Sequence, residues 1–148
     1  MYQHILVAVD GSGTSDRALQ EAIKLARELK SRLRILLVVE PVLFTGEAQY
    51  IDYNEIHKVV VGYGRDVLKK AGDAAHKAGV ETDTKLIESK GFGERVTDVI
   101  AREADAWPAD LIVIGTHGRR GFNHLLMGSV AEGVVRIATK PVLLIRGK

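Results

Sequence analysis

Short apolar runs alternate along this chain with segments whose apolar residues return every three or four positions. Ile5-Leu6-Val7-Ala8-Val9 is unbroken apolar sequence stopped by Asp10-Gly11. A run of that length without polar alternation predicts a strand buried on both faces. Thr14 or Ser15 follows as the candidate N-cap, with Asp16 in the first turn. Ala18, Leu19, Ala22, Ile23, Ala26 and Leu29 then recur at helical spacing up to about Lys30. Leu33 to Val39 predicts a second strand, ended by Glu40-Pro41, and Val42 to Asp52 has no clear period and is expected to form a mobile connection over one end of the sheet.

The second half repeats the alternation. Ile56, Val60, Tyr63, Val67, Leu68, Ala71 and Ala75 form the stripe of a long helix from about Tyr53 to Ala78, with Gly79 as its stop. Gly62, Gly64 and the run Val59-Val60-Val61 lower its propensity, so a kink or break near Gly62 is expected. Val80 to Ile87 alternates as a shorter, more exposed strand. Gly91-Phe92-Gly93 opens a helix carrying Val96, Val99, Ile100 and Ala104, halted by Trp107-Pro108. Leu111 to Ile114 is a fourth strand, Ser129 begins a helix with Val130, Val134 and Ile137, and Pro141 leads the last strand, Val142 to Ile145.

Five apolar strands joined through helices imply right-handed crossovers and an α/β fold: an open five-stranded parallel sheet, Rossmann-like, with helices on both faces. The expected strand order is 3-2-1-4-5, in one domain over residues 1–148. Ligands of such sheets bind beyond the strand C-termini, where the strand order reverses. The first strand delivers Asp10 to that end and the fourth delivers Gly115.

Gly115-Thr116-His117-Gly118 and, further on, Gly128-Ser129 place two glycine corners on one loop, one leaving a strand and one entering a helix. Glycine lets a backbone approach an anion closely, and a helix N-terminus offers unpaired N–H groups and positive dipole charge. Ser129 adds a hydroxyl, as an ordinary N-cap or as a phosphate donor. Arg119 and Arg120 stand nearby as cations that either screen phosphate or meet only water. That combination suits a nucleotide phosphate.

Composition narrows the class. Basic residues number 21 and acidic residues 19, a formal net charge of +2, which argues against a dedicated nucleic-acid partner. Cysteine is absent, which excludes disulfides and cysteine-ligated zinc. No apolar stretch reaches the length of a membrane span, and no signal sequence precedes the first strand, so a cytoplasmic location is expected.

Over essentially its whole length the chain resembles the universal stress protein family. The resemblance is carried by Val9-Asp10-Gly11-Ser12, by Ala109-Asp110-Leu111-Ile112-Val113-Ile114-Gly115, and by Lys140-Pro141-Val142. Above all it is carried by Gly115-x-x-Gly118, nine residues, then Gly128-Ser129. In the nucleotide-binding branch of that family the glycine pattern holds ribose and phosphates of ATP. The resemblance implies that Asp10 and the Val39 backbone flank the base or ribose. It implies that Gly115, His117 and Gly118 approach ribose and phosphates, with Arg119 added as a neighbouring cation, and that Gly128, Ser129 and Val130 hold the phosphate end. The implied ligand is ATP, or ADP or AMP, with Mg²⁺ arriving on the phosphates. Ala131 departs from the pattern, since many nucleotide-binding members carry serine or threonine there.

Competing chemistry is thin. No Gly-x-x-x-x-Gly-Lys-Ser/Thr loop occurs, and Gly11-Ser12-Gly13 lacks the third glycine of a dinucleotide fingerprint. Asp10, His117 and Ser129 are the residue types of a hydrolytic triad, but Ser129 lacks the Gly-x-Ser-x-Gly elbow. No catalytic residue and no protein metal site is assigned. The expected role is a nucleotide-binding sensor or regulator in the stress response. The alternatives are a protein-interaction module with a vestigial or differently filled pocket, and a slow ATPase. Val142-Leu143-Leu144-Ile145, uniformly apolar at a sheet edge, is expected to pair with its copy in a homodimer, the arrangement common in the resembling family.

Overall fold

A computed structural model describes residues 1–41, 52–90, 93–117 and 128–147. Gly118 and Arg119, the connection 42–51, and Gly91 and Phe92 of the proposed helix opening lie outside the described residues. The elements run β1 (His4–Ala8), α1 (Gly13–Leu29), β2 (Arg32–Val39), α2 (Tyr53–Lys77), β3 (Thr82–Glu88), α3 (Val96–Ala106), β4 (Leu111–Gly115), α4 (Ser129–Ile137) and β5 (Val142–Ile145). All neighbouring strands are parallel and the order is β3-β2-β1-β4-β5. β1 and β4 are the central pair, with Val7 beside Val113.

Two apolar layers sandwich the sheet. Ile5, Val7, Leu33, Ile35, Leu37, Leu111 and Val113 face α1 and α2, where Leu19, Ile23, Leu68 and Ala75 meet them. Leu6, Leu36, Ile112 and Ile114 face α3 and α4 through Ile100, Ala104 and Val134. Because both faces of β1, β2 and β4 are covered, these strands need no polar alternation, as their unbroken apolar sequences required.

Four local features differ from the sequence reading. Ser12, rather than Thr14 or Ser15, caps α1: its Oγ accepts the Ser15 amide at 3.2 Å. Ser15 is instead buried, and its Oγ accepts the Asp10 amide at 2.9 Å. α2 runs unbroken through Gly62. Its glycines serve packing: a Cβ on Gly64 would sit 3.0 Å from Leu37 and Leu86, and one on Gly72 would sit 3.1 Å from Thr84. Close approach to the sheet thus outweighs the propensity penalty. α3 begins at Val96, where the Asp98 carboxylate accepts the Arg95 amide at 2.9 Å. Gly128, not Ser129, is the N-cap of α4.

Candidate functional site

The chain leaves β1 and β4 toward opposite edges of the sheet, β1 through α1 to β2 and β4 through α4 to β5. Their C-terminal ends therefore border the crevice that such a reversal opens. Asp10 enters it from β1. Its Oδ1 accepts the Ser12 amide at 2.9 Å, a short side-chain turn that fixes the corner into α1. Gly11 has φ +85°, and a Cβ there would collide with the Tyr63 hydroxyl of α2. Both features demand glycine.

Val39 closes β2 on the other side of Asp10. It is buried, and its carbonyl accepts the Ser89 amide at 2.8 Å. Ser89 is itself buried, and its Oγ has no hydrogen-bond partner among the described residues.

β4 ends at Gly115 for a packing reason. A Cβ on Gly115 would stand 2.7 Å from Thr14 Cγ2 and 3.2 Å from the Thr14 carbonyl oxygen, so the first turn of α1 occupies the space a side chain would need. Gly147, just beyond β5, makes the same concession, 2.8 Å from Thr14 Oγ1. Thr14 is thus wedged between the ends of β4 and β5.

The next residue joins the two glycine corners. Thr116 donates its amide to the Ile145 carbonyl at 2.9 Å, and its own carbonyl accepts the Gly128 amide at 2.5 Å. The start of α4 is thereby tied to the end of β4, although the intervening sequence is long. Thr116 Oγ1 lies 2.9 Å from His117 Nδ1, which holds His117 at the same corner.

Gly128 supplies no side-chain cap. As in any helix, the first-turn amides, here those of Ser129, Val130 and Ala131, have no carbonyl partner within the helix itself, and the helix dipole adds partial positive charge there. Ser129 is exposed, while the Val130 side chain packs into the core, leaving only its backbone for the crevice. Ala131 is buried, so the methyl group at this departure from the family pattern serves the core.

The structure thus brings Asp10, Val39, Gly115, His117, Gly128, Ser129 and Val130 to one end of the sheet, on the ends of β1, β2 and β4 and the start of α4. Thr14, Ser15, Thr116, Tyr63 and Ser89 belong to the same region and were missed. Thr116 lies inside the Gly115-x-x-Gly118 motif, Ser15 carries only an N-cap signal, and Tyr63 sits in an ordinary helical stripe. Among the described residues no group of three or more His, Asp or Glu side chains is arranged to hold a metal ion. No helix among them is long and apolar enough to cross a membrane.

An open parallel α/β sheet with Gly11, Gly115 and Gly128 at the strand and helix ends around its switch point is the class that fold and site define. The chain belongs to the universal stress protein family, whose sequence profile matches residues 1–146. It is 33% identical to universal stress protein YxiE of Bacillus subtilis, over 99% of this chain and 100% of that one. A universal stress protein of Archaeoglobus fulgidus solved in complex with dAMP is 30% identical, covers 97% of this chain and 98% of its own, and superposes with a TM-score of 0.67. Another universal stress protein, solved in complex with cAMP, is 26% identical, covers 97% of each chain and gives a TM-score of 0.72.

Proposed function

We propose that this protein binds an adenine nucleotide, ATP with Mg²⁺ in its fullest form, in the crevice between the ends of β1 and β4. Binding then acts as a signal in a stress response rather than as the start of rapid catalysis. The observation that carries the reading is the tie between the Thr116 carbonyl and the Gly128 amide. It sets the start of α4, to which Gly128 gives no side-chain cap, beside the end of β4, one strand away from Asp10. Phosphates are the natural anions for that helix start, and the base and ribose then extend toward Asp10 and Val39. Gly118 is included on the resemblance, and Arg119 as a cation beside it in sequence. The dAMP and cAMP complexes of related proteins support the nucleotide class.

Calorimetric titration of the purified protein with ATP, ADP and AMP tests this. Binding is expected, and Gly128→Val should abolish it by placing a branched side chain where the phosphates enter. Undiminished affinity in the variant would remove the α4 assignment, and absence of binding in the wild type would remove the reading.

Assembly belongs to the same proposal. β5 is an edge strand, and Leu143 is 38% exposed on it. Pairing with β5 of a second copy would satisfy its backbone and cover that side chain. Light scattering over a dilution series should give a dimer that Leu143→Lys dissociates. A wild type that is monomeric at micromolar concentration would refute it. A cytoplasmic setting is part of the same reading.

A further inference from the structure

We infer that Tyr63, on the third turn of α2, recognises the nucleoside half of the ligand, an inference that rests on the nucleotide reading above. Three observations point to this side chain. Its hydroxyl fills the space beside Gly11 where a Cβ would project, next to Asp10 at the end of β1. Its exposure is nevertheless 42%, so the ring is not consumed by core packing. Val67, one turn on, lies 3.3 Å from the same Cβ position and supplies the apolar support that packing at this corner requires. A phenol adds what an aliphatic residue lacks: a flat face and a polar tip held at the lip of a crevice.

Position along the sheet decides which half of the ligand it meets. α2 lies over β2 and β3, where Gly64 touches Leu37 and Leu86, while α4 begins on the other side of β1, beside β4 and β5. A nucleotide with its phosphates at Ser129 reaches Tyr63 only with its base or ribose. The preceding part of α2, from Tyr53 to Tyr63, contains no buried residue, whereas Gly64 and Leu68 are buried. The helix thus carries Tyr63 at the level where the sheet ends and the crevice begins.

Calorimetry with adenosine, AMP and ATP tests the assignment in wild type, Tyr63→Phe and Tyr63→Ala, with circular dichroism and thermal melting to establish that each variant is folded. Tyr63→Ala should weaken all three ligands by a common factor of tenfold or more, because the lost contact is to the part they share. Tyr63→Phe, which keeps the ring, should stay within about threefold of wild type. Tyr63→Ala that binds all three as tightly as wild type would overturn the inference, even with a lowered melting temperature. A loss that grows from adenosine to ATP would also overturn it, since that pattern places the side chain at the phosphates. If the wild type binds none of the three, the nucleotide reading fails first and the inference falls with it.

Discussion

Gly115 shows how one residue serves two demands. Its place in the glycine pattern reads as close approach to a ligand, yet Thr14 already occupies the space a Cβ would take. Gly115→Ala should therefore destabilise the protein without any nucleotide present, by about 1–3 kcal/mol, the usual cost of overpacking. Thr14→Ser removes the nearest atom, Cγ2, and should recover part of that loss, although the Thr14 carbonyl oxygen remains 3.2 Å away. Urea unfolding of the two single variants and the double variant measures the coupling. Strict additivity would show that the two residues do not share the space. Asp10 is similar in kind, since its carboxylate builds the β1–α1 corner through the Ser12 amide whether or not a ligand comes. The sequence made the glycines and Asp10 conspicuous because their spacing is unusual. It hid Tyr63 and Ser89, whose importance comes from which strand end each one touches.

At the scale of elements, α3 is held by charge as well as by apolar packing. Glu103, buried on its inner face, accepts from Arg34 of β2 at 2.8 Å and from Lys85 of β3 at 2.9 Å. Arg34 also forks onto Asp83 at 2.8 and 3.1 Å and lies 4.8 Å from the centre of the Trp107 ring. Asp83 above all, and Glu103 after it, raise the Arg34 pKa. This cluster accounts for part of the polarity of β3: Asp83 pairs with Arg34 of β2, and Lys85 pairs with Glu103 of a helix that arrives later in the chain. Trp107, legible in the sequence only as a stop before Pro108, is a lid on that cluster.

Near the start of the same helix, Glu94 accepts from Arg102 at 2.8 Å and from the Lys90 amide at 3.0 Å. Arg102 first, and the Lys90 amide second, hold its carboxyl below the usual carboxylate range. A pKa lowered by folding stabilises the protein above the unfolded value, near 4.3, and the benefit fades as pH falls through the folded value. The stability difference between wild type and Glu94→Gln should accordingly stay constant above about pH 5 and close at lower pH. Urea midpoints across that range provide the measurement, and a difference that widened on acidification would contradict it. Periodicity marked this helix well, but its true start was obscured because the Arg95–Asp98 bond that begins it depends on geometry rather than on a standard capping residue.

The whole molecule was the most legible level. Five apolar runs separated by helical stripes admit few parallel topologies, and the observed order β3-β2-β1-β4-β5 is the expected one among the doubly wound orders that the pattern allows. What the pattern could not supply was depth: which residues at the strand ends turn into the crevice and which into the core. Val130 and Ala131 illustrate this, adjacent to the exposed Ser129 yet packed inward.

The tie between Thr116 and Gly128 has a consequence for how such a chain diversifies. The fold fastens residues 116 and 128 to each other and Thr116 to β5, a closed clasp that fixes both ends of whatever sequence joins them. The entropy cost of closing a loop grows slowly with its length, by only about 0.6 kcal/mol for each doubling. Apart from Gly118 and Arg119, which the nucleotide reading uses, that stretch can be rewritten in descendants of this sequence while the same sheet is inherited. The clasp separates the part of the gene that must be copied faithfully from a part in which new specificities can be tried.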